Sequence, residues 1–141
     1  MKVLFLDVDG VINCQFTAAR SGHALGIDPY MALLVVRIID ATKCKVILSS
    51  SWRYDESAMA EVRKMFIPID GITPKMNGKT SRGTEIRMWL EANQPVERYA
   101  ILDDNDDMLK EQMPNFFKCA WDSGITEELS RAVIKHLNET V

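Results

Sequence analysis

Asp7 and Asp9 stand two residues apart at the end of the apolar run in "VLFLDVDGV". In extended chain, residues at i and i+2 share a face, so the two carboxylates point the same way wherever that geometry persists. Two such groups side by side cannot both stay ionised cheaply unless positive charge sits between them. Mg2+ meets that need. It is a hard, oxygen-seeking ion, commonly held by one or two carboxylates together with a substrate phosphate. Asp103 and Asp104, in "YAILDDNDD", follow another apolar run and supply further negative charge for the same ion. Gly10 lets the backbone turn tightly and approach a ligand. Between the acid pairs lie Ser49 and Ser50, at the end of "KVILSS", and a basic residue, Lys79 or Arg82, in "NGKTSRGTEI". The order is acid pair, hydroxyl, cation, acid pair.

Positioning these groups requires strands that end where the polar residues begin. Lys2 to Val8 is short and rich in Val, Leu and Phe, the composition of a buried parallel strand. Lys45 to Leu48, Tyr99 to Leu102 and Phe116 to Ala120 read as three more. Residues 13–26 read as a loop. Asp28-Pro29 opens a helix to about Ala41, with Asp as N-cap and Pro at the first turn. Its apolar face is Met31, Leu34, Val35, Ile38 and Ile39. A second helix is expected from Asp55 to about Phe66, with Met59, Val62, Met65 and Phe66 inward. Pro68, Gly71 and Pro74 make the stretch to Asn77 irregular. Thr80 or Ser81 caps a third helix over Gly83 to Ala92, and Thr126 opens a last one to about Leu137. Strands alternating with helices predict an α/β fold of Rossmann-like type, a parallel sheet with helices on both faces. In such sheets ligands bind beyond the carboxyl ends of the strands, and every polar cluster falls at one of those ends.

The chain has 141 residues, which suits a single domain over 1–141. A formal net charge of -3 gives no global basic field, though it leaves room for a local basic patch. Cys14, Cys44 and Cys119 are scattered, without the spacing of a zinc site or a disulfide framework. Free thiols in a reducing compartment are the simplest reading. The start of the chain does not read as a signal peptide, and the apolar runs are too short to span a bilayer. The expectation is a soluble, cytoplasmic protein that makes no use of a membrane.

Each cluster alone has a plainer reading: a turn at Asp9-Gly10, a strand end or helix cap at Ser49 to Ser51, a solvated acidic loop at 103–107. Trp52 and Trp89 read as packing residues, and His23 and His136 lie outside every cluster. The conjunction carries more. "FLDVDGV", "VILSSSW", the basic residue of "NGKTSRGTEI", and "YAILDDNDD" together resemble the four motifs of the haloacid dehalogenase (HAD) superfamily of phosphotransferases. "SSSWR", "RGTEIRMWLEAN", "ERYAILDDNDDM" and "GITEELSRAVIKHL" resemble its capless branch, which includes the phosphatase domains of RNA repair proteins.

The resemblance implies roles. Asp7 would be the nucleophile that forms an aspartyl-phosphate, and Asp9 the general acid and then base. Asp7, the Asp9 backbone carbonyl and Asp104 would hold Mg2+, with Asp103 beside them. Ser49 or Ser50 would bind a phosphoryl oxygen, and Lys79 or Arg82 would offset charge in the transition state. Arg82 has the better placement, directly before a helix. Neither inter-motif stretch has room for a cap domain, so the site is open to large phosphorylated substrates, nucleic acid or protein. Apart from the resemblance, Arg20, Arg53, Lys75, Lys79 and Arg82 have two readings: a phosphate track near the mouth, or, more plainly, solvated surface charge. Two other functions are consistent with the same residues: a small-molecule phosphatase or 5'-nucleotidase, and a non-catalytic receiver-like switch. Asp9 speaks against the switch, which has no need of an acid two residues beyond its phosphorylated Asp.

Overall fold

The computed structural model describes residues 1–14, 16–17, 26–76 and 80–140. Its elements run β1 (Lys2–Leu6), α1 (Pro29–Thr42), β2 (Lys45–Leu48), α2 (Glu56–Lys64), β3 (Gly71–Ile72), α3 (Arg82–Ala92), β4 (Arg98–Asp103), β5 (Phe116–Lys118) and α4 (Glu127–Asn138). Short 3-10 turns at Ser51–Tyr54 and Lys110–Asn115 precede α2 and β5. The five strands form one parallel sheet in the order β3-β2-β1-β4-β5.

Strand parity sorts the core into two layers. Leu4, Leu6, Val46, Leu48, Ala100 and Leu102 pack against α1, α2 and α4 through Leu34, Val35, Ile38, Val62, Val133 and Leu137. Val3, Phe5, Ile47 and Ile101 face the other way, onto Ile86, Trp89 and Leu90 of α3. Trp89 stands edge-on to Phe5, with ring centroids 5.5 Å apart. The same alternation puts Asp103, the last residue of β4, and Asp7 and Ser49, one step past β1 and β2, on the α3 side. From β1 the chain builds outward to β3, then crosses back through α3 to β4 on the other flank of β1. The direction of winding therefore reverses between β1 and β4. A crevice at such a switch point is where α/β sheets bind ligands.

Local signals behave as their chemistry demands. The Asp28 carboxylate accepts from the Tyr30 N–H at 3.0 Å, capping α1. Ser81 Oγ caps α3 through the Thr84 N–H at 3.2 Å, and Thr126 Oγ1 caps α4. Two expectations are corrected. β3 is a fifth strand within the stretch read as irregular; only two residues long, it has no alternation to betray it. Phe66 is 85% exposed rather than inward. The helix ends at Lys64 and Phe66 takes a left-handed φ of 64°, which turns its side chain off the apolar face. The loop over 13–26 lies largely outside the described residues. Among the described residues no capping domain covers the carboxyl edge, and no helix is long and apolar enough to cross a membrane.

The start of α3 is locked onto the loop after β4. Asp107 accepts the Arg82 N–H on its carboxylate and the Gly83 N–H on its carbonyl, both at 3.1 Å. Buried Gln112 donates to the Gly83 carbonyl at 2.8 Å. A Cβ at Gly83 would lie 2.6 Å from Gln112 Oε1 and 2.7 Å from the Leu109 nitrogen. Gly→Ala normally favours a helix. Here overpacking should win, and Gly83→Ala should destabilise the protein by about 1–3 kcal/mol in urea denaturation. A stabilised variant would show that this contact is loose.

Candidate active site

β1 and β4 deliver Asp7 and Asp103 to the switch point, and α3 delivers Arg82 between them. Arg82 Nη1 lies 3.0 Å from Asp7 Oδ1 and 2.8 Å from Asp103 Oδ2. Asp104, next along the chain, completes a cluster. One carboxylate oxygen from each of Asp7, Asp103 and Asp104 lies within 4.8 Å of the other two. Gly10 makes this possible from the other side. Its φ is +79°, and a Cβ there would sit 2.3 Å from Asp104 Oδ2. Any side chain would displace the carboxylate as well as strain the turn.

The charges do not cancel among the described residues. Three carboxylates and one guanidinium leave two formal negative charges in a largely buried place. Burial foremost, and then Asp103, push the Asp7 carboxyl up to about 8, against the lowering pull of Arg82 and of the Val8 N–H. Burial also raises Asp103, with Arg82 and the Asn105 N–H pulling the other way. For Arg82, burial alone would lower the value. Asp7 and Asp103 outweigh it, so the guanidinium holds its proton more tightly than usual. An oxygen-seeking divalent cation fits this donor set in both charge and chemistry. Asp103 already spends both oxygens, Oδ1 on the Asn105 N–H at 3.0 Å and Oδ2 on Arg82. Asp7 is likewise engaged, by Arg82 through Oδ1 and by the Val8 N–H.

The remaining candidates separate clearly. Ser49 Oγ is fully buried and has no hydrogen-bond partner among the described residues. It lies one residue past the Leu6–Leu48 pair, beside Asp7. Ser50 Oγ caps the following turn by accepting the Trp52 N–H at 3.1 Å, which leaves its own O–H free to donate. Asp9 leaves the strand at the Gly10 turn, and its carboxylate stands apart from the acidic cluster, exposed. Trp52 Nε1 donates to its Oδ2 at 3.1 Å and Asn13 Nδ2 to its Oδ1 at 2.9 Å. The arginine expected in a phosphate track, Arg53, is corrected: it is 5% exposed. Its Nη1 donates to the Ser49 and Ser50 carbonyls and its Nη2 pairs with Glu85 at 3.0 Å, so it braces β2 against α3. Arg20, His23 and Lys79 lie outside the described residues. His136 sits away from the site, its ring bonded to the Tyr99 carbonyl and Asn115.

Sequence reading passed over Asn13, Trp52, Asp107 and Gln112. Trp52 read as a packing residue and does pack against the core; what that reading left out is its indole N–H, which reaches Asp9. Asn13 and Asp107 looked like ordinary loop residues; Asn13 bonds Asp9 across the local Gly10 turn, and the partners of Asp107 are backbone N–H groups distant in sequence.

The raised Asp7 carboxyl gives a signed prediction. Its ordinary value is 3.8 and its folded value about 8. A carboxyl raised on folding stabilises the fold fully below the first value, and that contribution is lost as pH rises through the second. In chelator, Asp7→Asn should therefore gain melting temperature relative to the wild type as pH rises over this window. A difference that stays flat with pH would mean that Asp7 ionises as an ordinary carboxylate.

Comparison with known proteins adds the family. No curated protein and no solved structure matches the chain. The family model described as the HAD domain in Swiss Army Knife RNA repair proteins matches residues 3–129. That span holds both acid pairs, the β2 serines and Arg82, and it covers most of the sheet. The chain belongs to this family of HAD domains.

Proposed function

We propose that the protein is a Mg2+-dependent phosphatase that hydrolyses phosphate monoesters through an aspartyl-phosphate on Asp7, acting on a phosphorylated nucleic acid end. One observation carries the reading: Asp7 is buried at the switch point with a guanidinium on one side and an unpaired buried hydroxyl, Ser49 Oγ, on the other. A tetrahedral phosphoryl group offers oxygens to both. The family supports phosphatase-type chemistry in general, and its RNA repair setting, with an edge that no domain covers among the described residues, favours a large nucleic acid substrate.

In this reading the Asp7 carboxylate attacks phosphorus. A P–O bond to Asp7 forms as the bond to the leaving oxygen breaks, and Asp9 in its acid form gives that oxygen a proton. Water then attacks the same phosphorus. The Asp9 carboxylate takes the proton from water, the Asp7–phosphorus bond breaks, and inorganic phosphate leaves. Trp52 and Asn13 hold Asp9 for both proton transfers through its two oxygens. Arg82 stays charged throughout and offsets negative charge on the phosphoryl oxygens, with Asp103 fixing its orientation. Ser49 Oγ donates to a phosphoryl oxygen. Mg2+, held by Asp7, Asp104 and the Asp9 backbone carbonyl, would neutralise phosphoryl charge.

Turnover should be assayed on 3'- and 5'-phosphorylated oligonucleotides, nucleotides, sugar phosphates and phosphopeptides. Asp7→Asn should abolish it with the fold intact, and Asp9→Asn should lower it roughly 10²–10⁴-fold. Chelation should silence the enzyme and Mg2+ restore it. Near-normal turnover by Asp7→Asn defeats the nucleophile assignment, and hydrolysis confined to nucleotides or sugar phosphates favours the small-molecule reading.

A further inference from the structure

Past the end of β2, one side chain holds the backbone that carries the two serines. The Ser49 N–H still donates to the Leu6 carbonyl at 3.0 Å, in the manner of the sheet. The Ser49 and Ser50 carbonyls lie beyond the strand, and Arg53 Nη1 donates to both, at 2.7 and 2.9 Å. Nη2 donates to Glu85 Oε2 at 3.0 Å. The guanidinium carbon lies over the Tyr54 ring, 4.4 Å from its centroid.

Glu85 belongs to the first turn of α3, three residues after Arg82, so the two side chains leave neighbouring points of one helix face. From that turn Arg82 reaches Asp7 and Glu85 reaches Arg53. The contacts that run from the Ser49 carbonyl through Arg53 and Glu85 to α3 therefore set the spacing between the Ser49 hydroxyl and the Arg82 guanidinium. Stability alone does not call for an arginine here. Both members of the pair are largely out of water, and apolar residues of similar volume in place of such a pair are often neutral or stabilising. Nor is the guanidinium fully satisfied, because its Nε is buried without a partner among the described residues. What its geometry does meet is two consecutive carbonyls with one nitrogen and a carboxylate with another, a task for a planar fork.

We propose that Arg53 is a positioning residue for phosphoryl transfer: braced by Glu85, it holds the Ser49–Ser50 backbone so that Ser49 Oγ meets the phosphoryl group opposite Arg82. The inference rests on the function proposed above. Arg53 touches no substrate in this scheme and acts through Ser49.

The test is a kinetic cycle on the full-length enzyme at saturating Mg2+, using the phosphate ester that the wild type hydrolyses best. Ser49→Ala should lower kcat/KM about 10²–10³-fold, as loss of one donor to transition-state charge does. Arg53→Met should lower it about 10²-fold, by misplacing that donor. In the double variant the loss should stay near that of Ser49→Ala, because Arg53 then has no hydroxyl to position. A merely structural role gives a different result: less folded enzyme scales every rate down, and the two losses multiply. Arg53→Lys repeats the cycle with the charge beside Glu85 retained, and decides the matter should Arg53→Met not fold. It should show the same coupling, since a compact ammonium does not reproduce the fork that spans Glu85 and both carbonyls. Multiplied losses, or wild-type kinetics in either Arg53 variant, overturn the positioning role and leave the phosphatase in place. A wild type that hydrolyses no phosphate ester removes the function and this role with it.

Discussion

Asp7, Asp103 and Asp104 crowd three carboxylates at the ends of two adjoining strands, one of them among the most buried polar groups in the chain. A single guanidinium, Arg82, reaches two of them. Burial first, and then the neighbouring Asp103, push the Asp7 carboxyl up, and the deficit of positive charge makes a divalent cation the natural complement. Much of the surrounding architecture serves that crowded point. Gly10 yields room for the Asp104 carboxylate, Asp107 and Gln112 pin the first turn of α3, and Arg53 ties the end of β2 to the same helix.

The arrangement follows from topology more than from any one contact. A parallel sheet brings all its carboxyl ends to one edge, and the reversal of winding beside β1 leaves a crevice between β1 and β4. Strand parity then turns Asp7, Ser49 and Asp103 towards α3, whose first residue is the cation they need. The buried free energy of two apolar layers holds the charges together. A site of this kind is preorganised, because no large rearrangement is required to bring its groups near one another.

Four of the five strands, the helix caps at Asp28 and Thr126, a cap at Thr80 or Ser81, and the position of the acid pairs were legible in the chain. Each rests on a local pattern: an apolar run, a capping residue, a polar residue at a strand end. What escaped notice depends on partners remote in sequence. Asp107 looked like one more acid in a solvated loop, yet it anchors backbone N–H groups 24 and 25 residues away. Arg53 read as a surface cation, but Glu85 and two carbonyls draw it inside. β3 was too short to show alternation, and Phe66 was misplaced because a left-handed residue after the helix breaks the periodicity on which the inward face was counted. Spacing left Ser49 and Ser50 equal, and their different hydrogen bonding, an unpartnered Ser49 Oγ among the described residues and a capping Ser50 Oγ, is visible only in three dimensions.

The central claim is that the acidic edge is built around one shared divalent ion. Anomalous diffraction from crystals of the wild-type protein soaked in Mn2+ tests it most directly. The account predicts a single strong peak within bonding distance of the Asp7 and Asp104 carboxylates, with Arg82 still on Asp103. A peak bound elsewhere, or no peak at the junction of β1 and β4 at saturating Mn2+, would contradict it.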